Sequence, residues 1–232
     1  MSNSTNFGII VILLATLFIG CTESLVYSPS MNLPPRPLSG GQSQFLMGGA
    51  YFPETRPFRS PEKTAYGWEA TFRFALCKHF SMQAKGWKDL SGNFDGERYG
   101  ISGAVIAMLN DSSNFRYGVM PTGAFLFGGG DMEGGGGGLP ICFWFTKYHP
   151  FDFYTTITPA FGIKDVSAET KQWGWGILLN AGTAVIIKDC LTINLEFSGI
   201  RQVNEYEDRN DYFICPSLNI GYLFRGESKR KK

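Results

Sequence analysis

Five charged side chains lie inside segments that alternate between polar and apolar residues, and they are the best candidates for chemistry: Glu69, Arg73, Lys85, Arg116 and Glu196. Each belongs to the polar set of its segment, so all five are expected to point to the same side of a folded sheet. Carboxylates and cations enclosed together pair with one another, or they line a path for ions. The pattern therefore predicts a charge network with a structural or a conducting role.

The short turn at residues 77–79 sets the expected register of part of this network. If the turn joins two antiparallel strands, Glu69 lies diagonally across from Lys85, and Arg73 lies opposite Gln83. A closed sheet of about ten strands leaves little room inside beyond its own side chains. We therefore expect the charged residues to form a structural plug, with an ion path as the alternative.

Catalytic and metal chemistry find little support in the sequence. The two histidines, His79 and His149, fall in predicted short turns, where no Ser-His or Asp-His pair is expected. The five cysteines lack CxxC spacing, so no zinc site is predicted. A net charge of +1 gives no electrostatic footprint for nucleic acid. We predict that the protein is not an enzyme and has neither a cofactor nor a nucleic-acid partner.

Two further stretches have a simple surface interpretation. The glycine-rich run at 128–138 lacks the Lys-Ser/Thr of a phosphate-binding loop and any repeated calcium motif, which favours a flexible loop. The stretch 199–211 carries six charges and is expected to be a solvated loop. Contact with a partner, or with divalent ions that bridge lipopolysaccharide, is the alternative for this second stretch.

The amino-terminal region reads as a targeting segment. The apolar run Ile9–Ile19 has the length of a signal-peptide core and is too short to span a bilayer. It is followed by Gly20-Cys21, which resembles the lipobox of bacterial lipoproteins. The resemblance implies a signal peptide at 1–20 and acylation of Cys21. Residues 21–43, rich in proline, are expected to form an extended tether, with an ordered cap over the mouth of the fold as the alternative.

The rest of the chain is a succession of strand patterns. In Leu191–Ser198 the odd positions are large and apolar and the even positions are polar, which is the period of a strand. Similar patterns predict ten strands, although Pro121, Pro159 and Pro216 fall inside three of them and leave eight strands as the alternative. The predicted strands are 44–52, 66–76, 80–88, 98–109, 114–127, 139–147, 151–162, 172–186, 190–198 and 212–224.

The predicted connections alternate between short and long along the whole chain. The turns 77–79, 110–113, 148–150 and 187–189 are short, and the intervening connections are longer. Outer-membrane barrels show this alternation, with short periplasmic turns and longer outer loops. It also places both ends of the barrel domain on the periplasmic side.

Side-chain size indicates which face of the wall is outside. The polar face carries short residues such as Thr156, Asn180 and Gly182, which suit a crowded interior. The apolar face is bulky and carries no charge in the middle of its stripes, as a lipid-facing surface requires. The alternative is a lipid-anchored soluble barrel with an apolar pocket, as in lipocalins, in which Leu195 and Ile220 would point inward.

Aromatic residues gather at both ends of the predicted strands, as expected for the two interfaces of a membrane barrel. One group lies beside the long connections: Tyr66, Trp68, Trp87, Tyr99, Phe127, Phe161, Trp173, Trp175 and Tyr212. The other lies beside the short turns or the carboxyl-terminal tail: Phe74, Phe80, Phe115, Tyr117, Phe145, Phe151, Phe153, Tyr222 and Phe224.

Taken together, residues 44–224 resemble the small bacterial outer-membrane β-barrel proteins, in a variety that begins as a lipoprotein. The predicted fold class is all-β: an antiparallel up-and-down transmembrane β-barrel after an N-terminal signal peptide, followed by a basic tail at 225–232. The resemblance implies an outer-membrane location with a lipid anchor on the periplasmic side. It also implies a structural, adhesive or surface-interaction role through the long loops, with membrane lipid and either lipopolysaccharide or an extracellular partner in contact.

Overall fold

The computed structural model describes residues 31–33, 36–52, 65–90, 98–110, 112, 114–128, 131–147, 151–167, 170–188, 190–204 and 209–224. The predictions for the signal peptide, for acylation of Cys21, for His149 and for the basic tail lie outside these ranges. The described residues include no helix that is long and apolar enough to cross a membrane.

The described chain forms twelve antiparallel strands. They are β1 (Ser43–Phe52), β2 (Ala65–Ala75), β3 (Phe80–Asp89), β4 (Arg98–Met108), β5 (Phe115–Val119), β6 (Thr122–Gly128), β7 (Asp131–Gly138), β8 (Ile141–Phe145), β9 (Phe151–Ser167), β10 (Thr170–Ile187), β11 (Leu191–Asn204) and β12 (Arg209–Phe224).

Pairing between β1 and β12 closes the sheet into a barrel. The strands β5 and β6 both pair with β4 and occupy one position in the wall, and β7 and β8 both pair with β9 and occupy the next. The twelve segments therefore make a barrel of ten wall strands, and the prediction of ten rather than eight is confirmed.

Prolines account for the two interruptions of the wall. Pro121 separates β5 from β6, and Pro140 separates β7 from β8, because a proline ring has no N–H to give to the ladder. Hydrogen bonds between neighbouring strands continue at these prolines. Met120 N donates to Pro140 O at 2.8 Å, and Val105 N donates to Pro121 O at 3.2 Å. The interruptions are bends in a continuous wall.

The wall has the orientation expected for a membrane barrel. On β11 the side chain of Leu195 is 39% exposed and points outward, whereas Asn194 and Glu196 are fully buried in the interior. Ile220 on β12 is exposed in the same way. The lipocalin alternative is therefore wrong for this chain, because its apolar face is the outer one.

Two ends of the barrel are defined by their connections. The turn end carries the connections 76–79, 109–114, 146–150 and 188–190, together with the start of β1 and the end of β12. The loop end carries the connections 53–64, 90–97, 129–130, 168–169 and 205–208. Three connections at the loop end are thus as short as those at the turn end, so the predicted alternation of length is only partly correct.

The shorter connections arise because the strands are longer than predicted. β9 has 17 residues and β10 has 18, while β2 and β4 have 11 each. A tilted membrane strand needs about 9–11 residues. The hairpins of β9 to β12 therefore project beyond the rest of the wall at the loop end, and the stretch 199–211 is mostly strand rather than a solvated loop.

The glycine-rich run is also strand rather than a flexible loop. Residues 131–138 form β7, which is hydrogen-bonded to β6 on one side and to β9 on the other. Closure of the wall gives the backbone partners on both sides, which overrides the poor strand propensity of glycine. At Gly135 a side chain would crowd the ring of Phe125, whose Cδ1 lies 2.9 Å from the position of an added Cβ.

Exposed aromatic side chains lie on the outside of the barrel near the turn end. Phe115 contacts Phe143 and Phe145, and Tyr222 contacts Phe224 at a centroid distance of 4.8 Å. Near the loop end Tyr66, Trp68, Tyr99 and Trp175 are exposed. Trp87 departs from the prediction because it is buried in the interior, where its indole ring lies over Gly100.

Candidate functional site

The lumen of the barrel is occupied by the chain itself. Residues 31–33 and 36–42, here called the lumenal segment, precede β1, and Met31, Asn32, Leu33 and Leu38 are all buried. The predicted extended tether is therefore wrong for this part of residues 21–43, and the alternative of an ordered cap is closer to the structure. The segment penetrates the interior rather than covering the mouth.

The lumenal segment enters at the turn end through a tight turn before β1. Gln42 N donates to Ser39 O at 2.9 Å, and Gly41 N donates to Ala75 O at 3.0 Å. Gly41 has a φ of 82°, a conformation that side chains disfavour and glycine adopts at no steric cost. This turn reverses the chain, so that the residues before it run back up inside the barrel.

Glu196 on β11 holds the inner end of the segment. Its Oε1 accepts hydrogen bonds from Met31 N at 2.6 Å and from the side chains of Asn180 and Ser198. Its Oε2 accepts from Asn32 N at 2.9 Å and from the Tyr154 hydroxyl at 2.6 Å. The buried carboxylate is thus surrounded by five donors, as a charge removed from water requires.

The backbone at Asn32 is shaped for this contact. Its φ of 49° lies in the left-handed region, which asparagine tolerates better than most residues. The two successive N–H groups of Met31 and Asn32 consequently converge on one carboxylate, in the manner of a backbone anion nest. The side chain of Asn32 also takes part, since its Nδ2 donates to Glu69 Oε1 at 2.8 Å.

Glu69 on β2 forms the second carboxylate centre. It makes an ion pair with Lys85 on β3, with Nζ 2.7 Å from Oε2. Its Oε1 also accepts a hydrogen bond from Asn219 Nδ2 at 2.8 Å, and the same amide donates to Asn32 Oδ1 at 2.7 Å. Asn32 therefore lies between the wall strands β2 and β12 and is bonded to both.

Arg73 and Gln83 fasten the other side of the segment. Arg73 donates through Nε to Gln83 Oε1 at 2.6 Å and through a terminal nitrogen to Gln44 Oε1 at 2.8 Å. Both Arg73 and Gln83 also reach Met31 O, at 3.5 Å each. The guanidinium is thus oriented by two amides and directed at the backbone of the lumenal segment.

Nearer the turn end the segment is held by two further contacts. Asn194 Nδ2 donates to Leu33 O at 3.0 Å. The guanidinium of Arg36 approaches both oxygens of Asp152, with Nε 2.5 Å from Oδ2. Apolar packing also holds the lumenal segment, because Met31 and Leu33 belong to a buried cluster that includes Trp144, Met120 and Ile106.

Four of the five predicted network residues meet around the lumenal segment. Glu69 lies diagonally across from Lys85 and Arg73 lies opposite Gln83, in the register expected from the short turn. Arg116 is placed elsewhere, at the start of β5, where its Nε donates to Ser112 O in the adjoining turn. Arg116 is the second residue of β5 and lies at the turn end, so its partner is Ser112 rather than the central carboxylates Glu69 and Glu196.

The sequence interpretation missed the partners that make this site. Asn32, Arg36 and Asp152 come from segments whose meeting depends on closure of the barrel. One signal was available: Asn180, Asn194 and Asn219 occupy inward positions, and buried amides need partners. No group of three or more His, Cys, Asp or Glu able to hold a metal ion occurs in the described part of the chain.

A glycine beside the carboxylate centre should be sensitive to substitution. In Gly182→Ala the added methyl group would overlap the ring and hydroxyl of Tyr154, which donates to Glu196. We expect the free energy of unfolding to fall by about 1–3 kcal/mol, as for other overpacked interiors. Urea titration of the barrel refolded into lipid vesicles measures the change.

The matched control is Gly199→Ala on the neighbouring strand β11. There the nearest atom to an added Cβ is Leu179 O at 3.9 Å, so the methyl group has room. This control should remain within about 0.5 kcal/mol of the parent. Equal effects in the two variants would show that Tyr154 is not held in the position described.

Comparison with known proteins gives likeness in shape only. Over 80% of its length the chain resembles the outer membrane protease OmpT from Escherichia coli, of which it covers 94%, with 10% identity and a TM-score of 0.45. It resembles the attachment invasion locus protein Ail of Yersinia pestis over 80% of its length and 99% of that chain, with 10% identity and a TM-score of 0.39. For the KdgM porin the shares are 78% and 98%, with 8% identity and a TM-score of 0.41.

No protein-family model and no curated protein matches the sequence. At such low identities and TM-scores, the likeness to these structures does not bear on activity.

Proposed function

We propose that the chain is an integral β-barrel of a bacterial outer membrane, closed by its own amino-terminal segment. The observation that carries the proposal is the division of the wall into a bulky apolar outer face and a filled polar interior. On β12, for example, Leu218 and Ile220 are exposed, while Ser217 and Asn219 are buried. An outer surface of this kind is stable in contact with acyl chains and unstable in contact with water.

The closed lumen favours a structural or adhesive role over that of a pore. The lumenal segment and the wall residues bonded to it fill the interior at the level of Glu69 and Glu196. What remains available to partners is the loop end, where the hairpins of β9 to β12 project beyond the wall. We propose that this end contacts lipopolysaccharide or an extracellular partner, and that the protein has no catalytic centre.

The same proposal includes processing of the amino terminus. Residues 1–20 would be removed as a signal peptide, and Cys21 would carry the lipid. Supporting it is the apolar run followed by Gly20-Cys21. Metabolic labelling with a radioactive fatty acid, compared between the natural chain and Cys21→Ala, tests acylation separately from the fold.

Fractionation combined with gel mobility tests the location and the barrel together. We expect the protein to pellet with outer membranes and to migrate differently in unheated and boiled samples, because a closed barrel resists detergent until it is heated. A chain found in the soluble fraction after removal of its lipid anchor, as Cys21→Ala, would contradict the proposal. In that case something other than membrane lipid would have to shield the exposed apolar face from water.

A further inference from the structure

The seam of the barrel is the contact between its first and last strands. β1 and β12 come from opposite ends of the described chain, whereas every other pairing among the described strands joins segments that are much closer in the sequence. Bringing distant segments together costs more chain entropy than closing a hairpin. The seam is therefore the pairing that most needs support from outside its own ladder of backbone hydrogen bonds.

A first side-chain hydrogen bond crosses over β1 at Gly48. This glycine is paired with Asn219 of β12 on one side and with Glu69 of β2 on the other. The side chain of Asn219 lies over the glycine, since its Oδ1 is 2.5 Å from the position of an added Cβ, and its Nδ2 donates to Glu69 Oε1 at 2.8 Å. The bond thus joins β12 to β2 across the strand between them, where any side chain at position 48 would obstruct it.

A second side-chain hydrogen bond crosses over β12 at Gly221. This glycine is paired with Leu46 of β1 and with Thr192 of β11. Gln44 of β1 donates from Nε2 to Thr192 Oγ1 at 3.2 Å, and that oxygen is 2.8 Å from the position of an added Cβ on Gly221. Arg73 of β2 orients Gln44 by donating to its Oε1 at 2.8 Å. Each strand of the seam is thus crossed by a bond between the two strands that flank it.

Asn32 of the lumenal segment completes the contact at the seam. Its Nδ2 donates to Glu69 Oε1 at 2.8 Å, its Oδ1 accepts from Asn219 Nδ2 at 2.7 Å, and its backbone N–H donates to Glu196 Oε2 at 2.9 Å. One residue therefore contacts β2, β12 and β11, which lie on both sides of the seam. All four side chains are buried, so these hydrogen bonds act in a low-dielectric interior, where they are stronger than in water.

We infer that the lumenal segment is a strap that locks the seam between β1 and β12, and that Asn32 is the residue that fastens it. With Asn32 in place the seam is held closed from inside the barrel. When Asn32 is removed, the wall opens laterally between β1 and β12 before any other pair of strands separates. This goes beyond the proposed function, because it identifies which part of the wall can move, and it holds for either orientation of the barrel in a membrane.

Hydrogen exchange of the full chain in lipid vesicles tests the strap. Asn32→Gly removes the side chain and suits the φ of 49° at this position. We expect the amides bonded between β1 and β12 to exchange roughly tenfold faster than in the natural chain, as when one buried hydrogen bond is lost. The amides bonded between β3 and β4 should exchange as in the natural chain. Asn219→Ala, which removes the same contact from the wall side, should give the same pattern.

Arg36→Ala is the matched control within the lumenal segment. Arg36 pairs with Asp152 of β9, so its loss weakens the segment without removing a contact at the seam. Exchange between β1 and β12 should stay close to that of the natural chain. Equal acceleration at the seam in Arg36→Ala and Asn32→Gly would overturn the inference. So would unchanged exchange at the seam in both Asn32→Gly and Asn219→Ala, or equal acceleration at the seam and between β3 and β4.

A disulfide across the seam gives a second readout. Met47 of β1 and Ile220 of β12 are directly paired and both are exposed on the outer face. Met47→Cys with Ile220→Cys should form a disulfide, because directly paired residues lie within the range that this bond spans. The parent chain carries three serine substitutions: Cys21→Ser, Cys77→Ser and Cys190→Ser. In the oxidised protein Asn32→Gly should no longer accelerate exchange at the seam, and reduction should restore the acceleration.

A disulfide between β11 and β12 is the matched control for the cross-link. Leu195 and Leu218 are also directly paired and exposed, so Leu195→Cys with Leu218→Cys links neighbouring strands beside the seam and not across it. This cross-link should leave the effect of Asn32→Gly at the seam intact. If it suppresses that effect as fully as the seam cross-link does, the inference is wrong. Because the seam cross-link holds the barrel closed, exchange after reduction can be measured even where Asn32→Gly alone folds poorly.

Discussion

Replacement of Glu196 with alanine is expected to lower the free energy of unfolding by about 3–5 kcal/mol, the range found when one partner of a buried charge contact is removed. Five donors converge on this carboxylate, two from the backbone of the lumenal segment and three from wall side chains. Without Glu196 the backbone N–H groups of Met31 and Asn32 and the Tyr154 hydroxyl lose this acceptor inside the barrel. The segment should then separate from the wall before the barrel unfolds.

Two measurements distinguish release of the segment from general weakening. Urea titration in lipid vesicles gives the total change, and hydrogen exchange at the amides of Met31 and Asn32 reports the contact itself. In Glu196→Ala both amides should exchange much faster than in the parent. The outward-facing neighbour Leu195→Ala is the control, since it leaves the donors around Glu196 in place and should not change the exchange of these two amides.

Glu196→Gln gives an intermediate result in the same assay. The glutamine amide keeps one acceptor oxygen, but its NH₂ group points at donors that the second carboxylate oxygen had accepted from. Part of the hydrogen bonding around residue 196 is therefore lost. We expect a smaller loss of stability than for alanine. If Glu196→Ala and Glu196→Gln both leave the exchange of Met31 and Asn32 unchanged, the lumenal segment is not held as described.

The architecture could be predicted because it depends on local repetition. Along β11 the alternation of Leu191, Ile193 and Leu195 with polar residues assigns each side chain to a face without knowledge of any distant strand. The short turn at 77–79 likewise fixed the register of β2 against β3. Both features are carried by residues close together in the chain.

The contents of the lumen could not be predicted because they depend on distant partners. Asn32 bonds to Glu69, Glu196 and Asn219, and the last is 187 positions away along the chain. The proline-rich sequence around Asn32 is typical of a tether. Composition alone does not show that amide side chains of the wall are placed to bind this segment. Only closure of the barrel brings these groups together.

Two local misreadings have the same cause. Trp87 has the aromatic character of an interface residue, but its cross-strand partner is Gly100, which leaves space for the indole inside the barrel. The run 131–138 looks like a loop by composition, but β6 and β9 both bond to it. In each case a neighbouring strand decides the outcome, and the residue type alone does not.

A membrane-facing wall predicts that arginine has a different cost at two depths on the outer face of β12. Leu218 is 54% exposed, lies in the middle of the wall and is paired with Gly49 and Leu195. Phe224 is at the turn end of the same strand, beside Tyr222 in the aromatic group. Both substitutions change one exposed apolar residue to the same charge.

If acyl chains cover this face, Leu218→Arg should lower the free energy of unfolding in vesicles by about 2–4 kcal/mol, and Phe224→Arg should lower it by about 0–1 kcal/mol. The difference arises because the middle of the bilayer offers no water to the guanidinium, whereas the interface does. Urea titration of both variants in the same vesicles gives the comparison. Equal and small costs at the two depths would contradict the assignment of this wall to a membrane.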